Sequence, residues 1–196
     1  MTSKFVWRNV RKEVRLWDKQ CVNCQTAKIH THVKAPQETF EIPYYRFEYI
    51  NVDIIGPLPE SQGFRYLFTI VDRYTRLLEA IPIANTRTET CAWALLFNWI
   101  ARYGVLLHLT SDRGVQFTSE IWNALTVWLG IKAHHTTAYH PQADGLVERF
   151  HRTMKTALIA RLGDPNWMDE LPWVLLGMRK APKEDLRTSS VKLVYG

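Results

Sequence analysis

Residues 49–55 read Tyr49-Ile50-Asn51-Val52-Asp53-Ile54-Ile55, a β-branched run that would make an ordinary buried strand but for the carboxylate inside it. An ionised carboxyl beside such a core is costly unless it is paired or bound to a cation. Two more acids stand where a solvated surface charge is unexpected: Asp112 in Thr110-Ser111-Asp112-Arg113-Gly114, and Glu148 in Val147-Glu148-Arg149-Phe150-His151-Arg152. Hard divalent ions held by a few carboxylates activate an attacking oxygen and stabilise a leaving one in phosphodiester chemistry. From the residues alone, a nucleic-acid enzyme is the first hypothesis.

Outward from this strand, two further strand-like runs follow at Tyr66–Asp72 and Leu77–Ile83, separated by turn-rich stretches short enough for an antiparallel meander. Thr86 and Glu89 have capping-box spacing, and Trp93, Leu96, Ile100 and Tyr103 recur at helical intervals up to Gly104. That helix is apolar on most faces and is expected to pack inside or against a partner subunit, with Cys91 as a small core residue. A strand is expected over Val105–Thr110, a helix over Glu120–Leu129 capped by Ser119, and a fifth strand over Ile131–Thr137. Three strands followed by an alternating helix and strand pattern point to an α/β chain with a mixed sheet and helices on both faces.

The helix expected over residues 146–161 places Val147, Phe150, Met154, Ala157 and Leu158 on a core stripe and Glu148, His151, Arg152 and Lys155 on another face. A surface Glu148–Arg152 pair is the bland explanation, worth a few tenths of a kcal/mol. The alternative is a metal ligand near the helix start with bases beyond it holding phosphates. A last helical pattern, Trp167–Lys180, is interrupted by Pro172, which implies a kink or a restart; its Trp167, Trp173, Leu175 and Leu176 are expected in the core.

The 196 residues suffice for one full core, and 46% hydrophobic with 22% charged residues describes an ordinary globule. No apolar stretch is long enough to span a bilayer and the start lacks a signal-peptide pattern, so an intracellular protein is expected. The formal charge of +6 divides into +5 over residues 1–46, 0 over 47–165 and +1 over 166–196. The N-terminal bases, among them Arg8, Arg11, Lys12, Arg15 and Lys19, alternate with Trp7 and Trp17, a mix that suits a phosphate backbone or simply a solvated helix face. Cys21 and Cys24 form a Cys-x-x-Cys pair open to three explanations: half a zinc site, a redox pair, or neither.

Four blocks together carry a resemblance. They are Asn-Val-Asp-Ile-Ile-Gly-Pro-Leu-Pro at 51–59, Thr-Ser-Asp-Arg-Gly-Val-Gln-Phe at 110–117, His-Thr-Thr-Ala-Tyr-His-Pro-Gln-Ala-Asp-Gly-Leu-Val-Glu-Arg-Phe-His-Arg at 135–152, and Leu-Pro-Trp-Val-Leu-Leu-Gly at 171–177. In these the chain resembles the integrases of gypsy-type LTR retrotransposons, related to retroviral integrases. The resemblance implies a ribonuclease-H-like, five-stranded mixed sheet preceded by a short partial helical element. It implies a catalytic, metal-binding triad of Asp53, Asp112 and Glu148 with two Mg²⁺ or Mn²⁺ ions. The implied reaction trims the 3′ ends of element DNA and joins them to target DNA by in-line attack. Tyr139 and Gln142 then belong to an active-site loop, and Arg149, Arg152 and Lys155 to the phosphate contacts. Oligomerisation through residues 88–103 and 167–178 and a nuclear site of action, after passage through the cytoplasm, follow as further expectations.

Expected divisions are a partial zinc-finger-like segment with basic linker at 1–35, a catalytic core at 44–165 and a helical extension at 166–196. No His precedes Cys21, so Cys21 and Cys24 match only half of the family's zinc site and Zn²⁺ is not expected, although His30 and His32 complete a tetrahedral set on paper. The chain stops at Gly196, where the family continues into a C-terminal domain, and Asp144 stands where the family's loop has Asn. A retained DNA-binding or interaction module without integration activity is the competing expectation. A ribonuclease H on RNA–DNA hybrids fits the 145–152 block less well.

Overall fold

A computed structural model describes residues 7–22, 44–135, 149–158, 166–183 and 185–196. Helix α1 (Val10–Gln20) precedes strands β1 (Tyr49–Ile55), β2 (Tyr66–Asp72) and β3 (Leu78–Ile83). Helix α2 begins as Thr88–Leu95, passes through a π-helical turn, Leu96–Ile100, and ends in Ala101–Tyr103. Then come β4 (His108–Ser111), the short α3 (Val115–Thr118), α4 (Glu120–Trp128) and β5 (Lys132–His135). Helix α5 is described over 149–158. Helix α6 (Trp167–Lys180), a two-stranded β6 (Pro182–Lys183) and β7 (Thr188–Ser189), and α7 (Ser190–Tyr195) complete the chain.

The five long strands form one sheet in the order β3-β2-β1-β4-β5. Pairing is antiparallel from β1 through β3 and parallel from β1 through β5. Period-two alternation sorts the side chains onto two cores. Ile50, Val52, Phe68 and Ile70 face Trp99, Phe117 and Trp122 of α2, α3 and α4. Ile55, Leu67, Val71 and Leu78 face Phe150, Met154 and Leu158 of α5 and Trp167 and Leu171 of α6. Each such large side chain stabilises the fold by roughly 1.5–3 kcal/mol. Helix α1 buries none of its residues; its Trp7 and Trp17 rings meet at 6.2 Å and Trp7 Nε1 donates to Glu13 at 2.6 Å.

Several local expectations need correction. The capping box of Thr86 and Glu89 does not form: Arg87 is the N-cap, and the Asn85 Oδ1 accepts from Arg87 N at 3.1 Å and from Thr90 Oγ1 at 2.8 Å. A short Asn side chain competes well for nearby donors. Strand β4 starts at His108, not Val105, because Val105 and Leu107 are half exposed and parallel pairing with β1 begins only at Tyr49–His108. Helix α6 runs through Pro172 as one element with the ring facing solvent, and Trp173 and Leu176 are exposed. Among the described residues no helix is long and apolar enough to cross a membrane.

Two positions tie β1 to its surroundings. Gly56 follows the strand with φ +150°, and a Cβ there would lie 2.4 Å from Tyr66 Cδ1 and 2.9 Å from the Arg65 carbonyl. Asp72, fully buried at the end of β2, accepts from Thr75 N at 2.8 Å, Thr75 Oγ1 at 2.6 Å and Phe47 N at 3.1 Å. It thereby fastens the β2–β3 turn to the entry of β1. Burial pushes its carboxyl above the ordinary 3.8, against the pull of the Thr75 and Phe47 donors.

Replacing Gly56 by Ala should lower the unfolding free energy by about 1–3 kcal/mol in urea titrations, since a side chain meets both backbone strain and a clash. Asp72→Ala strands two backbone N–H groups and should cost about 2–3 kcal/mol. Because the folded-state pKa of Asp72 is raised, the native chain holds that proton more tightly than the unfolded one. This contribution is therefore full below pH 3.8 and declines as pH rises through the raised value. The stability gap between native and Asp72→Ala should be widest at the acid end and narrow towards neutrality; a gap that widens with pH would contradict this.

Candidate active site

Strands β1 and β4 pair in parallel at Tyr49–His108, Ile50–Leu109 and Asn51–Thr110. Asp53 lies on β1 two residues beyond the last of these pairs, and Asp112 directly follows the end of β4, so both acids stand towards the carboxyl-terminal side of the paired stretch.

Each is oriented by backbone. Asp53 Oδ1 accepts from Ile54 N at 2.7 Å, and Asp112 Oδ1 accepts from Gly114 N at 3.0 Å in a tight Asp-Arg-Gly turn. The Asp112 carbonyl is held by Ser111 Oγ at 3.0 Å and lies 3.2 Å from His135 Nδ1 at the end of β5. Asp53 is one-third exposed and Asp112 is exposed. Hard oxygen donors presented this way, from two rigid strands, suit a hard divalent cation.

A side chain from α5 reaches Asp53. His151 Nδ1 lies 3.3 Å from Asp53 Oδ2, and its Nε2 lies 2.8 Å from Thr69 Oγ1. Thr69 sits opposite Asp53 on β2, its hydroxyl 3.0 Å from the Asp53 carbonyl. Burial, and then the Lys155 charge, pull the His151 imidazole down to about 4. The helical face shared with Glu148 marked His151 in the sequence, but nothing local announced its Asp53 and Thr69 partners.

Arg149, Arg152 and Lys155 are exposed on α5, spaced three residues apart. Glu148, Tyr139, Gln142 and Cys24 lie outside the described residues. Among the described residues, no group of three or more His, Cys, Asp or Glu side chains is placed to hold a metal. Cys21 is exposed at the C-cap of α1, which buries nothing against the sheet.

Residues 45–141 match the family described as the integrase core domain. The chain is 38% identical over 151 residues, 76% of its length, to the retrovirus-related Pol polyprotein from transposon 412 of Drosophila melanogaster. It is 31% identical over 198 residues, 100% of its length, to the Pro-Pol polyprotein of simian foamy virus type 3. It spans 12% of the first polyprotein and 17% of the second. Among solved structures, the catalytic core domain of BIV integrase superposes with a TM-score of 0.61 at 26% identity, covering 75% of this chain and 93% of that one. The HTLV-2 integrase catalytic core, solved in complex with magnesium, superposes with a TM-score of 0.62 at 18% identity, covering 76% and 97%, a likeness of fold. The mixed five-stranded sheet is thus the ribonuclease-H-like sheet of these cores, and the chain belongs to the integrase core family, as the catalytic core of a retrotransposon-type integrase.

Proposed function

We propose that the chain is a divalent-metal-dependent polynucleotidyl transferase that processes the 3′ ends of element DNA and joins them to target DNA. The observation that supports this is the parallel pairing of β1 with β4, with Asp53 two residues beyond the last pair on β1 and Asp112 directly after β4. With Glu148, these residues would hold Mg²⁺ or Mn²⁺, which supplies activation of the attacking oxygen and stabilisation of the leaving 3′-oxygen. Asp53 and Asp112 keep their carboxylates aimed by the Ile54 and Gly114 N–H groups. Arg149, Arg152 and Lys155 bind phosphates along the exposed side of α5 without reading base sequence. Tyr139 and Gln142 are proposed contacts for the DNA end. A DNA substrate puts the proposed site of action in the nucleus.

A second copy of the chain is the proposed partner. Trp93 and Phe97 are 58% and 64% exposed and stack at 4.8 Å on the outer face of α2. A cavity of about 550 Å³ opens between edge strand β3 and α6, lined by Pro82, Trp173 and Leu176 among others. The HTLV-2 core has been solved in dimeric and trimeric forms, and the simian T-cell lymphotropic virus relative in an intasome.

Cleavage and strand joining on element-end and branched DNA with Mn²⁺ should be present in the native chain and fall to background in Asp112→Asn and Glu148→Gln. A folded native chain that binds DNA but neither cuts nor joins it would favour the non-integrating module. Light scattering should give a native dimer or larger, reduced to monomer by Trp93→Glu; a native monomer at high concentration would sink the self-association.

A further inference from the structure

We propose that His108 and His134 form a two-histidine site for a borderline divalent ion of the zinc type, separate from the acids and from the cysteines. His108 opens β4, and His134 lies two residues further on along edge strand β5, since the strands pair at His108–Lys132 and Thr110–His134. Paired residues share a face, as do residues two apart on one strand, so both imidazoles rise from the same side of the sheet. There His108 Nδ1 and His134 Nε2 meet at 3.0 Å, with the ring planes 17° apart. Tyr49, paired with His108 from β1, stacks on that ring at 4.9 Å and lies 10° and 8° from parallel to the two imidazoles.

The separation is that of two ligands on one ion. With Zn–N bonds of about 2.0–2.1 Å, neighbouring nitrogens stand about 2.9 Å apart at a right angle and about 3.4 Å apart at the tetrahedral angle. Paired strands fix the two backbones and Tyr49 lies parallel to the rings, so little ordering is left for the ion to impose. In the neutral pair one facing nitrogen carries a proton and the other a lone pair. On binding, that proton passes to the far nitrogen of its own ring and both lone pairs turn to the ion, with no net proton released. His134 is exposed, which gives its ring room to tilt and leaves the remaining coordination positions to water.

The surroundings select the kind of ion. Both donors are neutral nitrogens, Lys132 pairs with His108, and the Arg73 guanidinium lies 4.6 Å from the Tyr49 ring centroid. A hard ion, which needs anionic or carbonyl oxygens, gains nothing in this setting, whereas imidazole suits zinc, nickel and copper.

The test uses the full-length chain with Cys21→Ser, Cys24→Ser and Asp112→Asn, so that neither the thiols nor the acids compete for the probe. Calorimetry with Zn²⁺ should show binding in this background. It should weaken about 10-fold or more in His134→Ala and in His108→Phe, at least what the loss of an outer-shell partner costs a metal site. In ¹H–¹⁵N spectra, Zn²⁺ should shift the ring signals of His108 and His134 and leave those of His151 in place. Absence of Zn²⁺ binding in the folded background chain overturns the proposal. So does an affinity unchanged by His134→Ala, or binding that leaves the His108 and His134 signals unmoved. His108→Phe keeps a ring against Tyr49; should it fail to fold by circular dichroism, His134→Ala on the exposed edge decides alone.

Discussion

The parallel pairing of β1 with β4 is the constraint on which the rest of the site depends. Shifting it by a single position would turn every side chain of the strand to the opposite face and expose Ile50 and Val52, so the pairing through Asn51 and Thr110 fixes where the backbone carries Asp53 and Asp112. Each of the two carboxylates is oriented by a backbone N–H, of Ile54 and of Gly114.

The rest of the fold supplies rigidity to that edge. One sheet face is sealed by the tryptophans of α2 and α4, the other by α5 and α6. The loop after β1 is tied to the start of α6, where Trp167 Nε1 donates to the Pro59 carbonyl at 2.7 Å and Ser61 Oγ donates to Asn166 at 2.6 Å. At the opposite edge, Glu79 on β3 is buried yet accepts from Arg179 Nη2 at 2.6 Å and Arg102 Nη1 at 3.3 Å. A charged, doubly paired residue on an edge strand discourages indiscriminate strand addition. It also leaves the neighbouring apolar groove for a specific contact.

What was legible in the sequence follows from range. Strands β1 and β2, and α4 with its Ser119 cap, emerged from periodicity and capping chemistry because both act within a few residues. Asp53 and Asp112 stood out because a carboxylate in an apolar strand carries its anomaly locally. The start of β4 was misplaced because strand limits depend on a partner that the local pattern does not contain. Trp173 and Leu176 look like core residues in the sequence, yet are exposed, because an apolar helix face looks the same whether it meets the sheet or solvent. His151 escaped a role for a similar reason: its partners, Asp53 and Thr69, come from strands far away in the chain, and only the β1–β2 pairing brings them together.

That long-range contact also says something about how the site is assembled. The sheet fixes Asp53 and Asp112, but α5 is a separate body, held to β1 and β2 by Phe150, Met154 and Leu158 in the second core. Apolar contacts of this kind set depth well and register poorly, since a helix slipping along a smooth surface loses little burial. A hydrogen bond does not tolerate such a slip. By engaging Thr69 and Asp53 together, His151 converts the loosely specified docking of α5 into a defined rotation and translation. The exposed bases Arg149, Arg152 and Lys155 ride on the same helix, so the contact that fixes α5 against the sheet fixes their positions as well.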